Sequence, residues 1–81
     1  MKMLIVSVWD NAMQMYARPF FAPSEGVAIR SFCDEVKRGG EDNQMSKHPA
    51  DFSLHALGSW NEETGIIEPT GPRLLIEAAA V

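Results

Sequence analysis

The segment that most constrains the fold is residues 46–65, which has the pattern of a turn, a strand, a loop and a returning strand. Pro49 disfavours helical geometry at the residue before it. Residues 52–60 are rich in apolar and aromatic side chains, and the polar loop that follows ends in Gly65. Glycine readily adopts the positive φ that hairpin loops often need. We therefore predict a β-hairpin with Gly65 in a left-handed conformation and a second strand that resumes with Ile66 and Ile67.

The rest of the chain predicts further strands and one helix. The apolar run at residues 3–9 favours a central strand. Pro19 and Pro23 bracket an extended, non-helical piece. Ser24 is a good N-cap for a helix with apolar residues at helical spacing, which should stop near Gly39. The predicted fold class is α+β, a small mainly antiparallel sheet of three to five strands with one helix packed on a face.

Four segments are less regular. Alternation at residues 12–18 favours a strand, although a helix fits as well. Residues 41–46 are polar and are predicted to be mobile. Residues 68–72 contain two prolines and a glycine, which favours a linker or turn. In residues 73–81, the leucines and isoleucine fit a buried strand and the three alanines fit a helix end.

The length of 81 residues predicts a single domain, 1–81, with a thin core. A homodimer would cover apolar surface and strand edges that such a core leaves open. We predict two interface segments, residues 13–16 and the tail within residues 72–81. Cys33 is the only cysteine, which fits a reducing cytosol. No segment approaches the roughly 20 apolar residues that span a bilayer, so no membrane partner is expected.

No catalytic or metal-binding pattern is visible. His48 and His55 are the only histidines, and with one cysteine they lack zinc-ligand spacing. No serine lies in a nucleophile elbow. Gly39 and Gly40 follow a predicted helix instead of opening one, unlike a phosphate loop. We predict no enzymatic activity, no metal and no cofactor.

The basic residues form the candidate binding site. Four of them are predicted near one end of the helix, and a fifth lies beside aromatic residues: Arg30, Lys37, Arg38 and Lys47, then Arg18 beside Tyr16, Phe20 and Phe21. Cations beside aromatic rings suit single-stranded nucleic acid, because rings stack on bases and cations contact phosphates. Alternatively, the two phenylalanines pack under the helix and Arg30 pairs with Asp34. The net charge of −4 requires any DNA contact to come from a local patch.

Four segments follow one another in the order of a known family. They are Met1–Asp10, which closes in Trp-Asp; Pro19-Phe20-Phe21-Ala22-Pro23; Gly26–Phe32; and Lys47-His48-Pro49-Ala50-Asp51-Phe52 with Leu57-Gly58-Ser59-Trp60 and Thr64-Gly65. In these segments the chain resembles the small nonstructural protein of gokushovirus-type microviruses, which are single-stranded DNA phages. The resemblance spans most of residues 1–69, and residues 37–43 and the tail after Glu68 match no signature of that family.

The resemblance implies a nonstructural phage protein of the host cytoplasm. It implies DNA binding, in the change from duplex replication to single-stranded DNA synthesis and packaging. The site residues expected for this role are Arg18, Arg30, Lys37, Arg38 and Lys47. The alternative is a small dimeric adaptor that binds a phage replication protein, a host factor or the procapsid without direct DNA contact. Clustered cations would favour DNA, and cations interleaved with the acids would favour the adaptor.

Overall fold

The computed structural model describes residues 1–81, with five strands and two α-helices. In chain order these are β1 (Lys2–Asp10), β2 (Met15–Tyr16), β3 (Phe20–Ala22), α1 (Glu25–Arg38), α2 (Gln44–Lys47), β4 (Phe52–Asn61) and β5 (Ile67–Glu77). Short 3₁₀ turns at Pro49–Asp51 and Ala78–Ala80 precede β4 and follow β5.

All strand pairs are antiparallel, and the sheet order is β2-β1-β4-β5, with β3 also paired to β1. The apolar strand β1 is therefore interior, with β2 and β3 on one side and β4 on the other. The predicted α+β class, with a mainly antiparallel sheet and one main helix, is confirmed.

Helix α1 begins and ends where local rules predict. The Ser24 hydroxyl accepts a hydrogen bond from the backbone N–H of Val27 at 3.2 Å, which satisfies one free donor of the first turn. The helix ends at Gly39, whose φ is 74°. Helix α1 lies on one face of the sheet, and the buried hydrophobic cluster between them contains Val6, Ala22, Ala28, Phe32, Leu54 and Ala78.

The β4–β5 hairpin forms as predicted. The Asn61 side-chain oxygen accepts hydrogen bonds from the backbone N–H groups of Glu63 and Thr64, at 2.9 and 3.3 Å. Gly65 has φ 77°, which confirms the left-handed position, and β5 then begins at Ile67.

The prediction of a linker or turn at residues 68–72 is wrong, because they belong to β5. Gly58 pairs with Pro69 and Ala56 pairs with Arg73, so three residues of β5 lie opposite Leu57 alone. Strand β5 is at the edge of the sheet, where proline is tolerated because an outward-facing position needs no N–H donor. The bulge and the edge position together allow proline and glycine inside a strand.

Residues 41–46 also differ from the predicted polar, mobile segment. Gln44–Lys47 form the short helix α2, whose N-cap is Asn43. The Asn43 side chain accepts from the N–H of Ser46 at 3.1 Å and donates to the carbonyl of Glu35 at 2.7 Å. Asn43 is buried, and these hydrogen bonds tie the segment to α1.

The two ambiguous segments resolve differently. In residues 12–18 only Met15 and Tyr16 are in a strand, because residues 11–14 form a turn in which Gln14 has φ 55°. In residues 73–81 both readings hold in part. The strand continues to Glu77, and the three alanines form a 3₁₀ turn that buries Ala78.

Candidate functional site

The sheet has one covered face and one uncovered face. Side chains alternate along β1, so Leu4, Val6 and Val8 meet the helix layer, whereas Ile5 and Trp9 lie on the opposite side. No helix packs on that opposite side. We call it the open face, and by strand register it carries Met3, Ile5, Ser7, Trp9, Tyr16, Phe21, Ser53, His55, Trp60, Ile67, Pro69, Leu74 and Glu77.

Two aromatic clusters lie on the open face. In the first, the rings of Trp9 and Tyr16 are 4.9 Å apart, and Tyr16 meets His55 edge-on at 5.6 Å. In the second, the rings of Phe21 and Trp60 are 5.3 Å apart. Such tilted and edge-to-face pairs are favourable and hold the rings in place. The open face therefore offers ordered aromatic surface, and Phe21 is 52% exposed there.

The open face is almost free of charge. Among its strand residues Glu77 is the one charged position, at the end of β5 opposite Ser53. Ser7 is fully buried on this side, where its hydroxyl donates to the Ala17 carbonyl at 2.6 Å. What the face presents to a ligand is apolar and aromatic.

His55 is the titratable ring in the first cluster. Its Nε2 lies 2.9 Å from the Ser53 hydroxyl, and its buried Nδ1 has no hydrogen-bond partner. Burial lowers the pKa of His55. The ring is therefore neutral at pH 7, and it adds aromatic surface without a positive charge.

A groove of about 470 Å³ lies at the end of the open face that carries the first aromatic cluster. Trp9, His55 and Leu74 line it together with Asp51 and Glu77. Its volume is within the range of small-molecule sites. Its two carboxylates disfavour a phosphate there, which leaves the aromatic rings as the surface for uncharged groups.

Two of the five predicted cations are held by carboxylates near the C-terminal end of α1. Arg38 binds Glu35 through Nε and Nη2, at 3.1 and 3.0 Å from Oε1, and its Nη1 is 3.7 Å from Asp42. The hydrogen bond and charge of Glu35 raise the pKa of Arg38. Lys47 Nζ lies 3.1 Å from Glu41. This end of the helix is a mixed-charge region and not a basic patch.

The other three predicted cations have no ion pair within 4.0 Å. Arg30 and Lys37 are exposed on α1, in the layer opposite the open face, and Arg30 does not pair with Asp34. Two helical turns, about 10 Å, separate Arg30 from Lys37. Arg18 lies between β2 and β3, close in sequence to Tyr16 and Phe21 of the open face. Of the five predicted cations, Arg18 is therefore the one that lies in a segment joining two strands with rings on the open face.

The sequence reasoning missed Trp9, His55 and Trp60 as candidates. The sequence pattern predicts only a central strand for Trp9 and a hairpin strand for Trp60. The signal that places them together is the two-residue period: positions 3, 5, 7 and 9 of β1 share one face, and Trp60 pairs with Met3. Of the aromatic residues singled out from the sequence, Tyr16 and Phe21 are on the open face, whereas Phe20 lies opposite Val6 on the helix side.

The sheet and both aromatic clusters lie within the region that is similar to a known family. The model of the family described as Phage ORF5 protein matches residues 3–81. The chain belongs to the Phage ORF5 protein family. It is therefore a bacteriophage protein, as the resemblance implied. Neither the curated proteins nor the solved structures contain a significant match. In this Phage ORF5 family member neither α1, with 14 residues, nor α2, with 4, has the length and apolar character of a membrane-spanning helix.

Proposed function

We propose that this Phage ORF5 family member is a nonstructural protein of microvirus type that binds single-stranded DNA on its open face. It acts in the host cytoplasm, in single-stranded DNA synthesis and packaging, as a binding protein without catalytic activity. The observation that carries the proposal is the pair of aromatic clusters on an uncovered sheet face, Trp9–Tyr16–His55 and Phe21–Trp60.

Single strands suit such a face better than duplex DNA. The bases of a single strand can unstack and lie against aromatic rings, and every base has a π-face, so this binding needs no particular sequence. A sheet that presents aromatic side chains is an established way to bind unpaired bases. Arg18, which lies in the loop between Tyr16 and Phe21, would supply a cation for a phosphate, because no carboxylate pairs with it.

A second candidate function is the dimeric adaptor that binds phage or host proteins without DNA. The distribution of the cations favours it, because Arg38, Lys47 and Arg73 are all paired with acids. An uncharged apolar face also suits a protein partner. The two functions differ in what the open face contacts, and a DNA titration separates them.

The test is a titration of fluorescent single-stranded and duplex oligonucleotides, followed by anisotropy. We expect Phe21→Ala and Trp60→Ala to weaken single-strand binding about fivefold or more each, since a base–aromatic stack contributes about 1–3 kcal/mol. The matched control is Phe20→Ala, which removes the neighbouring ring on the other side of the sheet and should leave the affinity within about twofold.

Equal losses in the Phe20 and Phe21 variants would show that the open face is not the DNA site. Absence of single-strand binding up to about 100 µM, the weak end of nonspecific affinities, would leave the adaptor as the function.

A further inference from the structure

We propose that the open face is also the homodimer interface, on which a second copy of this chain seats sheet against sheet when no DNA is bound. The surface is the one used in the proposed function, but the occupant and the test are different. The sequence predicted a dimer through residues 13–16 and the tail. In the structure Tyr16 and Leu74, one from each segment, both lie on the open face.

The amount of uncovered surface supports a partner. The solvent-accessible surface is 5234 Å², above the roughly 4,900 Å² that size scaling gives for a 9.0 kDa monomer. Two large apolar side chains of the open face remain exposed to solvent: Ile67 is 60% exposed and Leu74 is 51% exposed. Packing of two sheets face to face, about 10 Å apart, would cover these side chains.

The size of the face matches what a stable dimer needs. Strand β1 is about 30 Å long and four strands side by side are about 20 Å wide, which gives a projected area of about 600 Å². Stable interfaces bury about 600–1,000 Å² per partner, and the accessible surface of protruding side chains exceeds the projected area.

The distribution of charge and the prolines of β5 favour a dimer formed through the open face over one formed by strand pairing at the edge of the sheet. A two-fold interface brings the same patch of both copies together, so it must not repel itself. The charges on the open face are confined to one end, where Glu77 of β5 and Asp51 line the groove. Pairing along the free edge of β5 is disfavoured by Pro69 and Pro72, which cannot donate to a ladder.

The dimer proposal also differs from the predicted role of the tail. Residues 73–77 pair with β4 and Ala78 is in the core, so deletion of residues 73–81 would remove part of the sheet itself. Point substitutions on the open face test the interface without this loss.

The first measurement uses the unaltered protein. Trp9 and Trp60 are the only tryptophans, and both are on the open face. We expect light scattering to report a dimer at high micromolar concentration. On dilution the dimer dissociates, the tryptophan side chains become exposed to water, and their emission should shift to longer wavelength. A monomer at high micromolar concentration, or emission that does not change across a dilution that dissociates the dimer, would overturn the proposal.

The second measurement uses variants. Leu74→Lys and Ile67→Lys place like charges across the interface and should each raise the dimer dissociation constant roughly 100-fold or more. Val27→Lys is the matched control, since Val27 is 45% exposed on α1, and it should leave the dimer unchanged. Circular dichroism checks that each variant is folded. A dimer that survives in folded Leu74→Lys and Ile67→Lys lies elsewhere, which would overturn the proposal.

Addition of an oligothymidine to the dimer separates this inference from the proposed function. If both hold, the strand converts dimer to monomer, because the two occupants compete for one face. If the dimer forms but the oligothymidine does not bind, the DNA function fails and the dimer stands. If DNA binds without dissociating the dimer, the two use different surfaces: a loss of DNA affinity in Phe21→Ala then overturns the dimer proposal, and an unchanged affinity overturns the DNA site and leaves the dimer standing.

Discussion

At the scale of single residues, His55 links stability to pH. Burial lowers its pKa in the folded protein below the ordinary value of 6.5. As pH falls below 6.5, the unfolded chain takes up the proton first, so the free energy of unfolding decreases until the pH passes the folded-state pKa. We expect full stability above pH 6.5 and a loss between there and about pH 5, where carboxylates begin to titrate.

Urea midpoints measured across that pH range check the expectation. His55→Gln should flatten the dependence, whereas His48→Gln, at an exposed position, should keep it. A dependence that persists unchanged in His55→Gln would assign the titration to another group.

Residue-scale prediction from sequence succeeds where the cause is local. The Ser24 cap and the positive φ of Gly65 depend on a few neighbouring residues, and both are confirmed. The pairing of Lys47 with Glu41 depends on the turn into α2, which was predicted as a mobile segment. The meeting of Phe21 with Trp60 depends on the register of three strands, which no local pattern fixes.

At the scale of elements, the β4–β5 hairpin depends on glycine for two different reasons. At Gly58 a Cβ atom would lie 2.3 Å from the carbonyl oxygen of Glu68, so any side chain must push the strands apart. At Gly65 a Cβ would meet nothing within 4 Å, and only the φ of 77° disfavours a side chain.

We therefore expect Gly65→Ala to lower the free energy of unfolding by about 1 kcal/mol, and Gly58→Ala to lower it by more. Gly26→Ala, in α1 with only the Ser24 hydroxyl at 3.9 Å, should raise it by about 0.5–1 kcal/mol as the control. Chemical denaturation measures all three. Equal losses at positions 58 and 65 would mean that the strands do not approach as closely as the structure shows.

The elements also show why strand β5 was only partly predictable. Its proline and glycine at positions 69, 71 and 72 resemble a linker in sequence. They are compatible with a strand because β5 is an edge strand with a bulge opposite Leu57. Edge position and bulges are properties of the assembled sheet. The apolar run of β1 indicates a buried strand without reference to its neighbours, so that strand was predicted correctly.

At the scale of the whole molecule, charge and aromatic surface are separated. Arg30 and Lys37 lie in the helix layer, and the rings lie on the other side of the sheet. The five cations predicted as one site therefore do not surround the aromatic face. The net charge of −4 adds a repulsive field for any approaching strand. The proposed binding of single-stranded DNA therefore depends on stacking more than on charge.

This separation predicts a shallow salt dependence. A single-strand contact contributes about −0.7 to the slope of log affinity against log salt. Of the five predicted cations, Arg18 is the unpaired one in the loop between β2 and β3, so we expect a slope of about −1 or shallower, whereas three or four phosphate contacts at a helix-end patch would give about −2 to −3. Arg18→Gln should bring the slope close to zero.

Arg38→Gln makes the same change in net charge, but Glu35 and Asp42 already hold that guanidinium, so the slope should stay as it is. Anisotropy titrations at several salt concentrations give both slopes, and a steep slope that Arg38→Gln reduces would move the DNA site to the end of α1.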